Sequence, residues 1–245
     1  MITKNEIKFL QSLHLKKYRE LHNCFLVEGR KIVKELIASQ FEISIIYATN
    51  EWISNNMSLK NVKVEEVSVD ELSKIATHQH PDQVVAVVKV PSYNLPTTLS
   101  GKKFVLLDQL NDPGNAGTII RSADWFGWDG VIFSDNSVEI FNPKVINSAK
   151  GSLFRTPVFQ GDVASFLSKN LDFEVYGALM EGDSIYNVSF SEKAILIIGN
   201  EANGISPEIS SFINHAITIP RFGSAESLNA GVAASIIFSH WKIKS

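Results

Sequence analysis

The sequence has few of the features that mark membrane-embedded, secreted or disulfide-stabilised proteins. It contains one cysteine in 245 residues, so no disulfide can form within the chain. No apolar stretch approaches the roughly 20 residues that are needed to cross a bilayer. Residues 1–20 carry charges throughout and lack the apolar core of a signal peptide. We therefore expect a cytoplasmic protein in which Cys24 is an inert, packed side chain.

The sequence also lacks the excess of positive charge that is typical of proteins covered with nucleic acid. The formal net charge is −3, and residues 94–245 contain 11 basic and 15 acidic side chains. Residues 1–34, by contrast, contain eight lysines and arginines and only three glutamates. Such an excess can contact phosphates, but a solvated helix face gives the same composition. Charge alone therefore does not identify a partner.

Motifs for metals and common nucleotides are missing as well. His78 and His80 are two residues apart with Asp82 beyond them, but no third and fourth ligand of a zinc site accompanies them. The dinucleotide fingerprint G-x-G-x-x-G and the Walker sequence do not follow any predicted strand. These absences argue against a metal site, a nicotinamide-dependent enzyme and an NTPase.

The chain divides near residues 91–101, where two prolines, a glycine and small polar residues interrupt the apolar periodicity. We predict a small mixed α/β module over residues 1–93, a linker over 94–101 and a larger α/β domain over 102–245. The first module begins with a single helix over residues 3–20. Beyond the linker, apolar strands alternate with helices, which predicts a parallel sheet covered on both faces.

Polar residues and glycines follow three predicted strands of the larger domain. FVLLD leads to DPGNAGTIIRSADWFG, AILIIG leads to NEANG, and HAITIP leads to RFGSAESLN. In open α/β sheets, ligands bind in a crevice outside the carboxyl ends of the strands. The pattern therefore predicts a small ligand that is held by backbone loops near one cationic side chain.

The first of these segments contains the candidate cation. A turn over residues 113–117 precedes a helix that Asn115 can cap, and such a helix start can bind an anion or a polar ligand. Arg121 lies four residues beyond Gly117, about one turn into the helix. It either faces the ligand or forms a surface ion pair with Asp124.

The other two segments are less specific when each is taken alone. Glu201, in the glycine-bounded loop 199–204, either pairs with Arg121 or orients a substrate hydroxyl. Ser227 is placed to cap the final helix, with Asn229 just inside it. An ordinary turn and an ordinary capped core helix give the same two patterns.

Taken together, the three segments resemble the motifs of the SpoU/TrmH family of RNA ribose 2′-O-methyltransferases, in the SPOUT superfamily. Their order and spacing agree with that family, and NPKVINSAKGSLFRTPV between them is similar to its middle segment. The sequences KKYRELHNCFLVEGRKIVKELI and THQHPDQVVAVVK resemble the substrate-binding domain that is often fused to it. Ala202 and Gly231 depart from the usual pattern, but neither replaces a proposed catalytic group.

The resemblance implies an α/β fold: a C-terminal parallel-sheet SPOUT domain with a deep trefoil knot, and a smaller N-terminal mixed α/β RNA-binding domain. It implies a homodimer that uses S-adenosyl-L-methionine and no metal. The reaction would be methylation of a ribose 2′-hydroxyl in RNA, in rRNA rather than tRNA.

The resemblance also implies two sets of site residues. The cofactor contacts, mostly through the backbone, are Gly199, Ile219 and Leu228. The catalytic residues are Arg121, Asn115, Glu201, Ser227 and Asn229. Because a guanidinium is a poor base, we expect Arg121 to bind the phosphate beside the target ribose or to orient the hydroxyl.

Two other functions remain open. An RNA-binding or ribosome-assembly factor that has lost turnover would keep this fold without needing the cofactor. A nucleotide-dependent metabolic enzyme of the Rossmann type is disfavoured by the missing fingerprint.

Overall fold

The computed structural model of the protein describes residues 2–56, 62–77 and 81–244, so His78 and His80 lie outside the described residues. The chain forms two compact units. The first unit contains Met1–Ser92 and Phe141–Phe154, and the second contains Tyr93–Ile140 and Arg155–Ser245. Within the described part of the chain, every helix is too short or too polar to traverse a lipid bilayer.

The first unit is built on a four-stranded mixed sheet in the order β1-β4-β2-β3. β4 pairs antiparallel with β1 and with β2, and β3 pairs parallel with β2. Five consecutive residues of β4 are buried, as expected for a strand that is covered on both faces. Cys24 opens β1, where partial burial raises the pKa of its thiol. The strands are β1 (Cys24–Glu28), β2 (Ile43–Ala48), β3 (Val64–Glu66) and β4 (Val84–Lys89).

The single helix predicted over residues 3–20 is wrong, because the structure has two helices there. The guanidinium of Arg19 is buried and donates to the Leu13 carbonyl at 2.8 Å, which stabilises the break between them. The helices of the first unit are α1 (Lys4–Ser12), α2 (Lys16–His22), α3 (Arg30–Ile37), α4 (Asn50–Ser54), α5 (Val69–Ile75) and α7 (Pro143–Ala149).

Residues from the middle of the chain complete the core of the first unit. Phe141 stacks on Phe25 with ring centroids 4.5 Å apart. Phe154 meets Phe41 edge-on at 5.2 Å. Because both pairs bury aromatic rings, the N-terminal sheet depends on a segment that lies more than forty residues further along the chain.

The residues predicted as a linker, 94–101, lie against the sheet of the second unit. The Leu95 amide donates to the Gln160 carbonyl at 3.0 Å, and the Gln160 amide donates to the Tyr93 carbonyl at 2.8 Å. Leu95 also packs against the hydrophobic core of this unit. The predicted domain boundaries, 1–93, 94–101 and 102–245, remain predictions.

The second unit contains a six-stranded sheet, all parallel, in the order β10-β8-β9-β5-β6-β7. β6 and β9 are buried at every position, which explains their uninterrupted apolar sequences. The predicted α/β fold, with a mixed N-terminal sheet and a parallel C-terminal one, is confirmed; the trefoil knot stays a prediction. The strands are β5 (Lys103–Leu107), β6 (Gly130–Ser134), β7 (Val158–Gly161), β8 (Glu174–Ser184), β9 (Ala194–Ile198) and β10 (His215–Thr218).

Two long helices of the second unit pack side by side through small residues. Ser122 and Ser235 hydrogen bond through their hydroxyls at 2.7 Å. Gly231 leaves so little space that an added Cβ would lie 3.0 Å from the Thr118 methyl. The helices of this unit are α6 (Pro113–Phe126), α8 (Val163–Lys169), α9 (Pro207–Ser210) and α10 (Ala230–Lys244).

Candidate active site

The three predicted segments begin at one edge of the parallel sheet. β5 and β9 are neighbours, and Leu107 pairs with Ile198 at the end of both strands. β8 separates β9 from β10, and all these strands run in the same direction. The loops that follow β5, β9 and β10 therefore open at the same edge, as the sequence pattern predicted.

The first segment enters α6 through an aspartate cap. The Asp112 side chain accepts a hydrogen bond from the Asn115 amide at 2.7 Å, and Pro113 occupies the first turn of the helix. The prediction that Asn115 caps this helix is wrong, because Asn115 lies inside its first turn. Its side chain therefore does not cap the helix and instead points toward the neighbouring loops.

Asn115 joins the three segments through both ends of its side-chain amide. Its Nδ2 donates to the Glu201 carboxylate at 2.8 Å, and its Oδ1 accepts from Asn229 Nδ2 at 2.7 Å. The Asn229 Oδ1 in turn accepts from the amides of Gly231 and Val232. Since a carboxylate only accepts and a backbone amide only donates, this chain fixes the orientation of both side-chain amides.

The helix α10 is capped by Asn229 and not by Ser227. The Asn229 Oδ1 accepts from the second and third amides beyond it, at 3.0 and 3.2 Å, which is the geometry of an N-cap. The prediction that Ser227 caps this helix is therefore wrong. Ser227 is exposed and makes no hydrogen bond with any residue of the described ranges.

Arg121 is exposed on α6, and neither of its predicted ion pairs forms. Asp124 pairs instead with Arg155 at 2.6 Å, and Glu201 accepts from Asn115. In the part of the chain that the structure describes, the Arg121 side chain makes no hydrogen bond and no ion pair. Its guanidinium is thus available to a group from outside the protomer.

The three predicted cofactor contacts lie in the segments that follow β9 and β10. Gly199 follows β9 directly, and a Cβ there would lie 2.5 Å from the Gly204 carbonyl oxygen, so only glycine fits. Ile219 follows β10 and is half-buried, whereas Leu228 is 48% exposed. Backbone at a strand end and unburied aliphatic side chains suit a ligand with a flat ring and polar edges. The residues present therefore fit an adenosine-containing cofactor.

The sequence patterns missed the polar side chains that hold the loop after β5. Ser134, at the end of β6, accepts from the Gln109 amide at 2.9 Å, and Ser137 accepts from the Leu110 amide at 3.1 Å. The buried carboxylate of Asp108 accepts from the Ser206 amide at 2.6 Å. The detectable signal was the polar run SDNS, which begins at the last residue of the otherwise apolar strand GVIFS.

Two other features do not suggest a competing site. Among the residues that are described, no three histidine, cysteine, aspartate or glutamate side chains are grouped to hold a metal. An open groove of about 680 Å³ lies in the first unit, and its described walls include Glu51, Glu66 and Glu71. Those described walls contain no basic side chain, so they do not suit a phosphate-bearing ligand.

Comparison with known proteins identifies the family. Residues 102–239 match the SpoU rRNA Methylase family, and residues 4–86 match the MRM3-like substrate binding domain. The first match alone covers more than half of the chain. This protein belongs to the SpoU rRNA methylase family. The family resemblance of the three segments is therefore confirmed, together with the predicted enzyme class, an RNA 2′-O-methyltransferase.

Relatives match over about three quarters of this SpoU-family chain or more. The 23S rRNA (guanosine(2553)-2′-O)-methyltransferase RlmP of Bacillus subtilis is 34% identical over 96% of this chain and 95% of its own. The 23S rRNA (uridine(2479)-2′-O)-methyltransferase of Streptomyces viridochromogenes is 33% identical over 73% of this chain and 67% of its own.

Solved structures agree with the fold. A TrmH-family protein from Porphyromonas gingivalis superposes with a TM-score of 0.91 at 34% identity, covering 100% of both chains. The SpoU methyltransferase AviRb from Streptomyces viridochromogenes, in complex with AdoMet, superposes with a TM-score of 0.88 at 25% identity. That match covers 99% of this chain and 98% of AviRb.

Proposed function

We propose that this protein transfers a methyl group from S-adenosyl-L-methionine to a ribose 2′-hydroxyl of 23S rRNA. The observation that supports this most directly is the chain of hydrogen bonds that joins Asn115, Glu201 and Asn229 at the edge of the sheet. Asn115 lies on α6, the helix that also presents the unpaired Arg121. The two relatives named as methyltransferases modify 23S rRNA, which favours rRNA over tRNA.

The cofactor is S-adenosyl-L-methionine, as in the solved complex of AviRb. Gly199, Ile219 and Leu228 would hold it in this chain, through backbone groups and aliphatic contacts. When bound, it would supply a methyl group on a sulfonium, whose sulfur leaves as a neutral thioether without help from a metal.

The residues of this chain have the task of aligning the acceptor. Arg121 binds the phosphate beside the target ribose and orients its 2′-hydroxyl, because a guanidinium stays protonated and cannot take the proton. Asn115 and Glu201 set the direction of approach, and the proton leaves to a substrate phosphate or to water. Ser227, exposed in the loop before α10, contacts the same ribose. Such alignment is a major source of rate enhancement in transfer reactions.

The first unit supplies most of the affinity for RNA. It contains 14 basic and 11 acidic side chains, a net charge of +3, whereas the second unit contains 9 basic and 15 acidic ones, a net charge of −6. On α2, Lys17 lies 5.8 Å from the centre of the Tyr18 ring, and this ring stacks against His22. Tyr18 is half-buried, whereas Lys17 and His22 are exposed. Lysines beside accessible aromatic rings are typical of surfaces that bind single-stranded nucleic acid.

Point substitutions test this assignment better than a truncation does. Deleting residues 1–92 would leave Phe141 without Phe25, so the remaining protein would expose apolar surface. We expect Lys16→Glu with Lys17→Glu to weaken rRNA binding and to reduce its salt dependence, with cofactor affinity unchanged. Lys102→Glu with Lys169→Glu, which reverses two exposed lysines of the second unit, is the matched control. Equal losses in both variants would contradict the assignment.

A second copy of this chain covers the exposed face of α6 and α10. Trp125 is 84% exposed on α6, and Val232 and Ile243, which fall on one side of α10, are 47% and 79% exposed. A homodimer that buries these side chains would also bring the partner close to Arg121 and complete the site. We expect light scattering to report a dimer for the protein and a monomer for Ile243→Glu.

We expect the protein to act in the cytoplasm. The decisive experiment uses labelled S-adenosyl-L-methionine with 23S rRNA and, in parallel, with tRNA, both taken from cells that lack this gene. We expect one ribose of 23S rRNA to acquire a methyl group. If no ribose in either RNA is labelled although the protein binds rRNA, the alternative of a non-catalytic RNA-binding factor is correct. Calorimetry with the cofactor then shows whether the binding site has been kept.

A further inference from the structure

Asn200 lies between Gly199 and Glu201 and uses its polar groups in two directions. Its side-chain oxygen accepts from the amides of Ala202 and Asn203 at 2.9 and 3.0 Å. Its side-chain nitrogen donates to the Gln109 carbonyl, 91 residues earlier in the chain, at 2.8 Å. The residue is half-buried, so these bonds are only partly shared with water.

The first set of bonds closes the loop after β9. Besides the two side-chain bonds, the backbone of Asn200 exchanges two hydrogen bonds with Gly204, each of 2.9 Å. Gly204 adopts a left-handed conformation, with φ of +67°, which favours glycine. The loop is therefore a defined turn, and Glu201 occupies its outer position.

The second bond ties this turn to the chain that leads into α6. Gln109 has a φ of 53°, a conformation that a residue with a Cβ seldom adopts. It is held there from both sides, since its amide donates to the Ser134 hydroxyl at 2.9 Å and its carbonyl accepts from Asn200. Three residues later, Asp112 caps the helix on which Asn115 lies.

We propose that Asn200 is a positioning residue that sets the distance between Glu201 and Asn115. Glu201 belongs to the turn that Asn200 closes, and Asn115 belongs to the helix whose entry Asn200 holds. The 2.8 Å bond between Glu201 and Asn115 thus depends on the bond from Asn200 to Gln109. The expected effect of Asn200 on catalysis rests on the proposed function. Its effect on the distance between Glu201 and Asn115 does not.

The test compares Asn200→Asp with Asn203→Asp. An aspartate at position 200 keeps the acceptor for Ala202 and Asn203 but cannot donate to Gln109. Asn203 is exposed in the same loop, so its variant controls for the added charge. Asn200→Ser, a neutral and shorter acceptor, separates the lost bond from that charge.

We expect the Asn115 side-chain amide resonance to shift in Asn200→Asp and Asn200→Ser but not in Asn203→Asp. We expect kcat to fall about tenfold in the first two variants, which is the effect of losing one well-placed hydrogen bond, with KM for the cofactor within about threefold. In a Glu201→Ala background the hydrogen bond between residue 201 and Asn115 is already lost. Adding Asn200→Asp to that background should therefore change kcat little.

The proposal is overturned by any of three results. In the first, Asn200→Asp and Asn203→Asp behave alike. In the second, the loss of kcat persists undiminished in the Glu201→Ala background. In the third, the Asn200 variants unfold the whole protein. If the unmodified protein transfers no methyl group, the proposed function fails, and the Asn115 resonance still decides whether Asn200 positions Glu201.

Discussion

Asn115 and Arg121 lie on the same helix, and the structure places them in opposite environments. Asn115 is buried, and its amide is bonded at both ends to side chains from the loops after β9 and β10. The Arg121 side chain is exposed and has no hydrogen-bond partner within the described residues. The assembled part of the candidate site, around Asn115, is thus held together by the protein alone. The exposed part, which contains Arg121, has no partner until a ligand binds.

This difference has a physical reason. A buried amide that is left without partners destabilises the folded state, so Asn115 has to be bonded before any ligand arrives. An exposed guanidinium stays solvated at little cost, and it forms a strong bidentate bond once a phosphate is offered. The comparison predicts that substitutions in the assembled part affect stability and catalysis together, whereas those in the exposed part affect catalysis alone.

The largest effect is expected for Arg121→Ala. Removing one group that is aligned with the reacting atoms typically lowers kcat by about 10²–10³-fold. We expect such a loss in ribose methylation, with the melting temperature unchanged and cofactor affinity within a few-fold. Arg121→Lys should recover only part of the rate, because an ammonium cannot form the bidentate bond.

The control for Arg121→Ala is Arg155→Ala in the same unit. Arg155 pairs with Asp124 on the surface, and such pairs contribute about 0–1 kcal/mol to the free energy of unfolding. We expect a small change in stability and no change in methylation. A large loss of cofactor binding in Arg121→Ala would show that the assigned role of this residue is wrong.

Asn115→Ala should give the next largest effect and should change two properties at once. It leaves the Glu201 carboxylate and the Asn229 amide without their partner, at a cost of about 1–3 kcal/mol in the free energy of unfolding. We expect kcat to fall about tenfold or more, measured beside a urea titration. An unchanged urea midpoint would remove the distinction between the assembled and the exposed part of the site.

Gly199→Ala tests the assembled part through the backbone alone. An added methyl group would collide with the backbone of Gly204, and overpacking of this kind costs about 1–3 kcal/mol. We expect lower stability and weaker cofactor binding in calorimetry. Gly223→Ala is the matched control, since an added Cβ there meets nothing within 4 Å and the loop is exposed. Equal behaviour of the two variants would contradict the close fit at Gly199.

The sequence predicted where the strands end but not which side chains meet beyond them. Uninterrupted apolar runs such as AILII locate a buried strand, and the polar residues that follow it mark the loop. Asn115 and Glu201, however, are 86 residues apart, and their contact depends on β5 and β9 being neighbours. A single sequence does not give the order of strands in a sheet, so this hydrogen bond could not be predicted.

The errors at the helix caps have a local cause. Asp112 and Asn115 are both good capping residues, as are Ser227 and Asn229, and apolar periodicity does not place a helix start to within one turn. Pro113 was the missed signal, because proline favours the first helical position and makes the preceding Asp112 the cap. The break at residues 13–15 left no such signal, since it depends on the buried Arg19.

Ser227→Ala should have the smallest effect and gives the sharpest contrast with Asn229. Ser227 caps nothing, so its loss should leave the melting temperature unchanged and lower kcat by a few-fold, about what one exposed hydroxyl bonded to substrate contributes. Asn229→Ala should instead lower the free energy of unfolding by about 1 kcal/mol, because it removes the N-cap of α10. Thermal melts and methylation rates of the two variants, measured side by side, decide the matter. If Ser227→Ala were the less stable of the two variants, Ser227 would be the N-cap of α10 after all. Ser227 would then no longer belong to the exposed part of the site, which would contain Arg121 alone.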